Sequence, residues 1–350
     1  MKMKIRVTLC FALVFSLVQV SNFLVSAAGN KMDFYLIENY IIPNSDKVLL
    51  AEKDLFHLSA YNIDFARNEI YARHGYIFKN ETYSSYFSSK PWYKKNKKFK
   101  ESMLNNTEKK NVEFLWSYSS NLKANFHKIN GNEFSIDLNG DGIKDKINLK
   151  CSQGDREYTL TVNNTKINGS GDNLDGIMYV ADINTKDKYK EIAITESGPS
   201  DDSNTYFYYY NGSKLIYMGK VQGNNYSLKI NGSGKFITKT RGAILQTWFY
   251  SDEYKLSANH KLFHITEKYR KMNTIVTVKK PLKLQKSPTD SSPILTLKTG
   301  QKIFLTDTDN EKWCAVETAD GQKGWFSTSS LLNINSIPAT DYFDGLYMVD

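Results

Sequence analysis

The sequence predicts a multidomain α+β protein with a small N-terminal helical domain, a central antiparallel β domain and a small C-terminal β domain. In the segment 34–123, apolar residues recur at the spacings typical of helices that bury one face. From residue 130 to 272, short alternating runs are bounded by Asn, Gly, Ser and Asp clusters, as strands and turns are. Further strand-like runs lie between residues 274 and 334, and a 350-residue chain has room for two or three domains.

The first residues predict export. Lys2, Lys4 and Arg6 precede an apolar run from Val7 to Val18, and the small residues of Val25–Ala28 form a cleavage site. This order is typical of a secretory signal peptide, which we place at residues 1–28. No later run of ~18 apolar residues occurs in the sequence, so we expect a secreted, extracellular protein without a transmembrane segment in its mature chain.

The chain is basic, with a formal net charge of +9, and the three cations of the signal peptide leave +6 on the mature protein. This excess favours anionic wall polymers or phospholipid head groups as partners, and export makes nucleic acid a poor candidate. The densest basic run, KKNKKFK from Lys94 to Lys100, has the composition of a solvated linker. The two mature cysteines, Cys151 and Cys314, fall in different predicted domains, so no disulfide framework is expected.

The first predicted helix has both of its end signals. Ser59 can cap its N-terminus, and Ile63, Ala66 and Ile70 fall on one face. Gly75 lies where a left-handed C-terminal cap is favoured, so the helix is expected to end there.

Two more helices are predicted downstream. Tyr83, Tyr86 and Phe87 indicate a short amphipathic helix that ends before Pro91. A third helix is expected to open at Thr107. The residues expected along its buried seam are Val112, Leu115, Ser119 and Leu122.

Charged and titratable residues are concentrated in the string RNEIYARHGYIF, which runs from Arg67 to Phe78. It resembles the YARHG domain of extracellular bacterial proteins, and the likeness extends from about Leu58 to Tyr93. The resemblance implies an extracellular location and no particular reaction. Two interpretations of its polar side chains stay open: a site for a glycan or anionic ligand, or an ion-paired scaffold with a surface Glu–Arg pair and a histidine at a helix C-terminus. The four side chains are Arg67, Glu69, Arg73 and His74.

Four runs stand out as strands of the central domain: 158–162, 177–180, 206–210 and 245–250. Asn-Gly pairs favour tight hairpin turns, and four are expected to mark hairpins. These pairs are Asn130-Gly131, Asn168-Gly169, Asn211-Gly212 and Asn231-Gly232.

The string DLNGDGIKD from Asp137 to Asp145 alternates oxygen-bearing side chains with glycines that permit a tight loop. Such spacing suits a hard cation, but the glutamate that completes an EF-hand is absent. It resembles the calcium loop of FG-GAP or VCBS repeats, which joins two strands, and this implies a structural calcium ion. A metal-free polar hairpin is the alternative. The expected ligands are Asp137, Asn139, Asp141, the Ile143 carbonyl and Asp145.

A second, altered copy of this loop begins at Asp182. Lys186 stands at the position of Asp141, so its ammonium is expected to replace a cation. Two such units are too few to close a propeller, which favours an open or partial β assembly.

The C-terminal segment resembles a bacterial SH3 domain in the order of its parts. Its features are Leu282–Leu284, the Ser287-Pro288 turn, Ile294–Leu297, Lys302–Leu305, Trp313, the Asp320-Gly321 turn, Gly324–Phe326 and Leu331. The resemblance implies an SH3-like β-barrel that binds peptidoglycan, with Trp313 and Trp325 as its ligand-binding residues. Packing inside the barrel is the alternative for both tryptophans.

No catalytic motif stands out. Among the five histidines, His260 and His264 share helical spacing, but HKLFH lacks the glutamate of a zinc protease. We therefore expect a non-enzymatic, modular protein of the cell envelope that binds peptidoglycan or an anionic wall polymer through the SH3-like module. One alternative is a cell-wall hydrolase that uses carboxylates of the β domain. The other is an extracellular sensor or inhibitor that binds a protein.

Overall fold

The structure, a computed structural model, describes residues 39–198, 203–331 and 339–348. The predicted signal peptide lies outside these ranges. The described chain is mostly β, with three α-helices in its N-terminal region: α1 (Ala60–Arg73), α2 (Glu81–Ser88) and α3 (Asn106–Asn125). None of the helices in the described part of the chain is long and apolar enough to cross a membrane.

The predicted ends of α1 are confirmed. The hydroxyl of Ser59 accepts the Asn62 N–H at 3.1 Å, and Gly75 has a φ of +81° just beyond the helix. The third helix does not open at Thr107. Its cap is Asn105, whose side chain accepts the Glu108 N–H at 3.0 Å while the Glu108 carboxylate accepts the Asn105 N–H at 2.8 Å. This reciprocal capping box satisfies two helix-terminal donors at once.

The described strands are short and antiparallel. In chain order they are β1 (Phe126–Lys128), β2 (Glu133–Ile136), β3 (Asp145–Lys150), β4 (Glu157–Val162), β5 (Thr165–Ser170), β6 (Leu174–Ala181), β7 (Glu191–Glu196), β8 (Asn204–Tyr210), β9 (Leu215–Gln222), β10 (Lys229–Ile230), β11 (Lys235–Arg241), β12 (Phe249–Leu256), β13 (Leu262–Ile265), β14 (Arg270–Val278), β15 (Leu282–Ser287), β16 (Asp290–Leu297), β17 (Lys302–Thr308), β18 (Trp313–Thr318), β19 (Lys323–Ser327) and β20 (Phe343–Asp344).

The central region consists of three stacked sheets. The middle sheet has the order β1-β6-β7-β8-β9, and β2–β5 and β10–β13 form the two outer sheets. Alternating residues of β6 divide between the two cores: Met178 and Val180 pack towards β2–β5, whereas Tyr179 and Ala181 pack towards β10–β13. Because both faces of the middle sheet are covered, every residue of β7 is buried.

Two of the predicted Asn-Gly hairpins are confirmed, at Asn211-Gly212 between β8 and β9 and at Asn231-Gly232 between β10 and β11. Asn168-Gly169 instead lies inside β5, because the Tyr158 ring packs over this glycine and a Cβ there would come within 2.3 Å of the ring. Asn130-Gly131 is a turn between strands of different sheets.

The run 245–250 is a strand only in its last two residues. Leu245 has a φ of +73°, and the Trp248 ring covers Gly242, so the segment before Phe249 is an irregular loop. The runs 158–162, 177–180 and 206–210 lie within β4, β6 and β8, as predicted.

The C-terminal region forms one seven-stranded sheet with the order β16-β15-β19-β18-β17-β14-β20. It curls into a half-barrel instead of closing, since β16 and β20 remain its edges within the described residues. Strand β14 crosses the boundary we predicted between residues 272 and 274. It adds Met272, Val276 and Val278 to the core of this sheet, each 1% exposed.

Candidate functional site

Glu69 and Arg73 of α1 form a buried pair that holds the chain segment before the helix. The Glu69 carboxylate, only 1% exposed as a residue, accepts the Ile41 and Ile42 N–H groups at 2.6 and 3.1 Å. Arg73 donates to Glu69 and to the Ile42 carbonyl at 2.6 Å each, and its guanidinium lies 4.1 Å from the centroid of the Tyr40 ring. The predicted surface ion pair is therefore wrong in its location, because residues 40–46 cover it.

His74 and Arg67 do not join this pair. The His74 imidazole contacts the buried Glu108 carboxylate at 2.8 Å, which links the end of α1 to the start of α3. Arg67 is half-buried near the phenols of Tyr71 and Tyr83. Burial raises the pKa values of both phenols, and the positive charge of the Arg67 guanidinium partly counteracts this rise. The four residues thus fall into three separate arrangements, a geometry that favours the scaffold interpretation.

The loop Asp137–Asp145 joins β2 to β3, as the calcium-loop resemblance predicts for its position. Asp137 accepts the Gly140 and Gly142 N–H groups at 2.7 and 2.8 Å, and the bond from Gly142 is the main cause of its lowered pKa. Asn139 and Asp141 each accept one further loop N–H, and the Ile143 side chain points into solvent.

Both carboxylate oxygens of Asp145 already accept hydrogen bonds from the protein. Its two oxygens accept the Leu138 N–H at 2.9 Å and the Asn163 side-chain amide at 2.8 Å, and the residue is 3% exposed. Nowhere in the described ranges do three or more His, Cys, Asp or Glu side chains converge in a geometry that could hold a metal. The calcium ion stays a prediction.

The second loop uses a different lysine from the one we expected. Lys186 is exposed, whereas the Lys190 ammonium reaches the Asp182 carboxylate at 2.6 Å. The two loops also contact each other, because the Lys190 N–H donates to the Leu138 carbonyl at 2.9 Å. A cation of the chain itself therefore balances the first carboxylate of the second loop.

Trp313 and Trp325 lie on the outer face of the C-terminal sheet. Trp325 pairs with Ala315 across β18 and β19, and Trp313 precedes Ala315 by two residues, so the three side chains share one face. Both tryptophans are half-buried and neither belongs to the interior core. The opposite face supplies that core with Cys314, Val316 and Phe326.

A third aromatic residue completes this face. The Tyr269 ring lies 5.0 Å from the Trp325 ring at an interplanar angle of 47°, and the Lys312 ammonium lies 5.6 Å from the Trp313 ring. We call Tyr269, Trp313 and Trp325 the aromatic face. Sequence reasoning missed Tyr269, because it precedes β14 and lies outside the segment that resembles an SH3 domain.

Comparison with protein families agrees with this description of two modules. A family model for the YARHG domain matches residues 38–120, and one for a variant SH3 domain matches residues 279–334. Comparisons with curated proteins and with solved structures give no match. The YARHG match is longer than the likeness seen in the sequence and includes most of α3 as well as the segment that Glu69 and Arg73 hold. The chain therefore contains a YARHG domain and a variant SH3 domain, a modular composition consistent with a protein of the cell envelope.

Proposed function

We propose that the chain is a secreted, non-enzymatic protein that binds peptidoglycan through the aromatic face of its SH3 module. The observation that carries the proposal is the placement of Tyr269, Trp313 and Trp325 together on the outer face of the sheet. Aromatic side chains that are left partly exposed as a group mark binding surfaces more often than isolated apolar residues do. The presence of a YARHG domain and a variant SH3 domain supports the proposal that the chain acts outside the cell.

The shape and charge of this face suit a sugar chain with acidic groups. The tilted Tyr269 and Trp325 rings offer apolar planes for the C–H faces of sugar rings. Lys312 beside Trp313 and the exposed Lys268, 5.1 Å from the Tyr269 ring, add positive charge at the edges. These ammonium groups favour the carboxylates of peptidoglycan over a neutral glycan.

Co-sedimentation with purified peptidoglycan tests the proposal. The full chain is expected to pellet with the wall material, and the double variant Trp313→Ala/Trp325→Ala is expected to lose most of this binding. The matched control removes two exposed aromatic side chains elsewhere, as Tyr226→Ala/Phe263→Ala, and should bind normally. Equal binding by both variants would rule out the aromatic face, and soluble wall fragments released by the wild type would instead favour a hydrolase.

We also propose that the loop between β2 and β3 holds a structural calcium ion. Asp137, Asn139 and Asp141 supply oxygen side chains within one short loop, a donor set that fits a hard cation, and the Ile143 carbonyl would add a fourth oxygen. Asp145 would then act by fixing the loop through its bonds to Leu138 and Asn163. A bound cation would neutralise the two loop carboxylates and brace the hairpin.

A further inference from the structure

The lysine-rich run Lys94–Lys100 is held firmly against the YARHG motif, although its composition is that of a linker. Three inward-facing residues fix it at every third position. The Tyr93 hydroxyl donates to the Tyr76 carbonyl at 2.6 Å, and the Asn96 N–H donates to the Gly75 carbonyl at 2.8 Å. The Phe99 ring lies 5.2 Å from the Tyr76 ring. We call residues 94–100 the lysine loop.

The glycine of the motif is required for this contact. A Cβ at Gly75 would lie 2.4 Å from the Lys94 carbonyl oxygen and 2.9 Å from the Asn96 nitrogen, so the two backbones meet without space for a side chain. Its φ of +81° adds a second reason for glycine. The motif therefore determines where the lysine loop lies.

The loop presents its charge to solvent without compensation. All five of its lysines are exposed, and none forms an ion pair with a described carboxylate. Seven residues span at most ~25 Å, so the five ammonium groups follow one another along a short, fixed path. They are Lys94, Lys95, Lys97, Lys98 and Lys100.

We propose that the lysine loop is a binding site for a phosphodiester-linked wall polyanion, separate from the aromatic face. Lysine ammonium groups act as point charges and suit a chain of repeated phosphates, which needs no shaped pocket. A lipid surface fits less well, because the one apolar side chain of the run, Phe99, is packed inward against Tyr71 and Tyr76. The YARHG motif thus acts as the scaffold of a charged surface.

Binding of the full chain to labelled poly(glycerol phosphate), followed by fluorescence anisotropy across a salt series, tests this proposal. The test variant changes the five lysines of the loop to glutamine. The control changes five exposed lysines of the central region, which form no ion pair with a described carboxylate, to glutamine and has the same net charge: Lys150, Lys166, Lys214, Lys220 and Lys261. Circular dichroism verifies that both variants are folded.

The loop variant is expected to bind at least ~30-fold more weakly at ~50 mM salt, whereas the control should lose far less. Affinity decreases as salt increases, and the magnitude of the slope of log affinity against log salt should be smaller by roughly 3 in the loop variant, since fewer counterions are released. The variant Trp313→Ala/Trp325→Ala should bind the polymer normally, which separates this site from the aromatic face. Equal losses in the loop variant and the control would overturn the proposal, as would wild-type binding to phosphatidylglycerol vesicles and not to the polymer.

Discussion

The carboxylate of Glu69 is buried, and three hydrogen-bond donors compensate for its loss of contact with solvent. Two are backbone N–H groups of Ile41 and Ile42, and the third is Arg73. Sequence reasoning identified the pair from its four-residue spacing but placed it on the surface. Its partners lie 27 and 28 residues earlier in the chain, and no periodicity within a helix reports such a contact.

Replacing this carboxylate should therefore be strongly destabilising. The change Glu69→Gln removes the charge opposite Arg73 and forces an amide group to face backbone donors. We expect a loss of ~3 kcal/mol in the stability of the YARHG domain, because breaking a buried ion pair leaves the other charge uncompensated. Denaturant unfolding of this domain measures the loss.

The control is Glu113→Gln, which changes an exposed glutamate on α3. It should alter stability by less than ~0.5 kcal/mol. Similar stabilities for the two variants would contradict the buried role of Glu69.

At the scale of elements, end signals and turns were predictable where a single residue decides the conformation. Ser59 and Gly75 delimit α1 as expected, and the capping box at Asn105 was readable in the sequence as Asn-x-x-Glu. Asn168-Gly169 was not predictable as a strand, because the reason for glycine there is the ring of Tyr158 on the neighbouring strand.

The loop between β2 and β3 yields a prediction about calcium. Millimolar Ca²⁺, compared with a chelator, should raise the melting temperature of the central sheets, since a ligand that binds only the folded state stabilises it. Asp141→Asn keeps the acceptor for the Ile143 N–H but removes one charge, and it should weaken the effect. Mg²⁺ serves as the ionic-strength control, because it demands a smaller octahedral site. A melting temperature that does not respond to Ca²⁺ would contradict the proposed ion.

At the scale of the whole molecule, the YARHG and SH3 modules were predictable from the sequence, but the packing of the sheets was not. Alternating runs predict strands, yet they do not say that the middle sheet of the central region is covered on both faces. The aromatic face shows the same limit. Trp313 and Trp325 were identified from the sequence, whereas Tyr269 contacts Trp325 from outside the matched SH3 segment.

The C-terminal sheet also depends on residues beyond the matched segment, and this can be tested. Phe343 of β20 is 1% exposed and packs against Phe326, with ring centroids 5.7 Å apart. Phe343→Ala should destabilise the seven-stranded sheet by ~3 kcal/mol through cavity formation. Faster amide hydrogen exchange in β14, β17 and β18 reports this local loss.

Phe263→Ala is the matched control, since Phe263 is 64% exposed and its removal leaves no cavity. Its exchange pattern in the C-terminal sheet should resemble that of the wild type. Unchanged exchange in the Phe343→Ala variant would show that the sheet does not need β20.

The pairing of β20 with β14 also determines when this sheet can be completed during synthesis. Val278 and Phe343 are partners in that pairing, 65 positions apart in the chain. While the residues between them leave the ribosome, β14 lacks one neighbour and the core lacks a phenylalanine ring. The C-terminal module should therefore reach its native state only after Phe343 has left the ribosome, so this sheet should be among the last parts of the described chain to be completed.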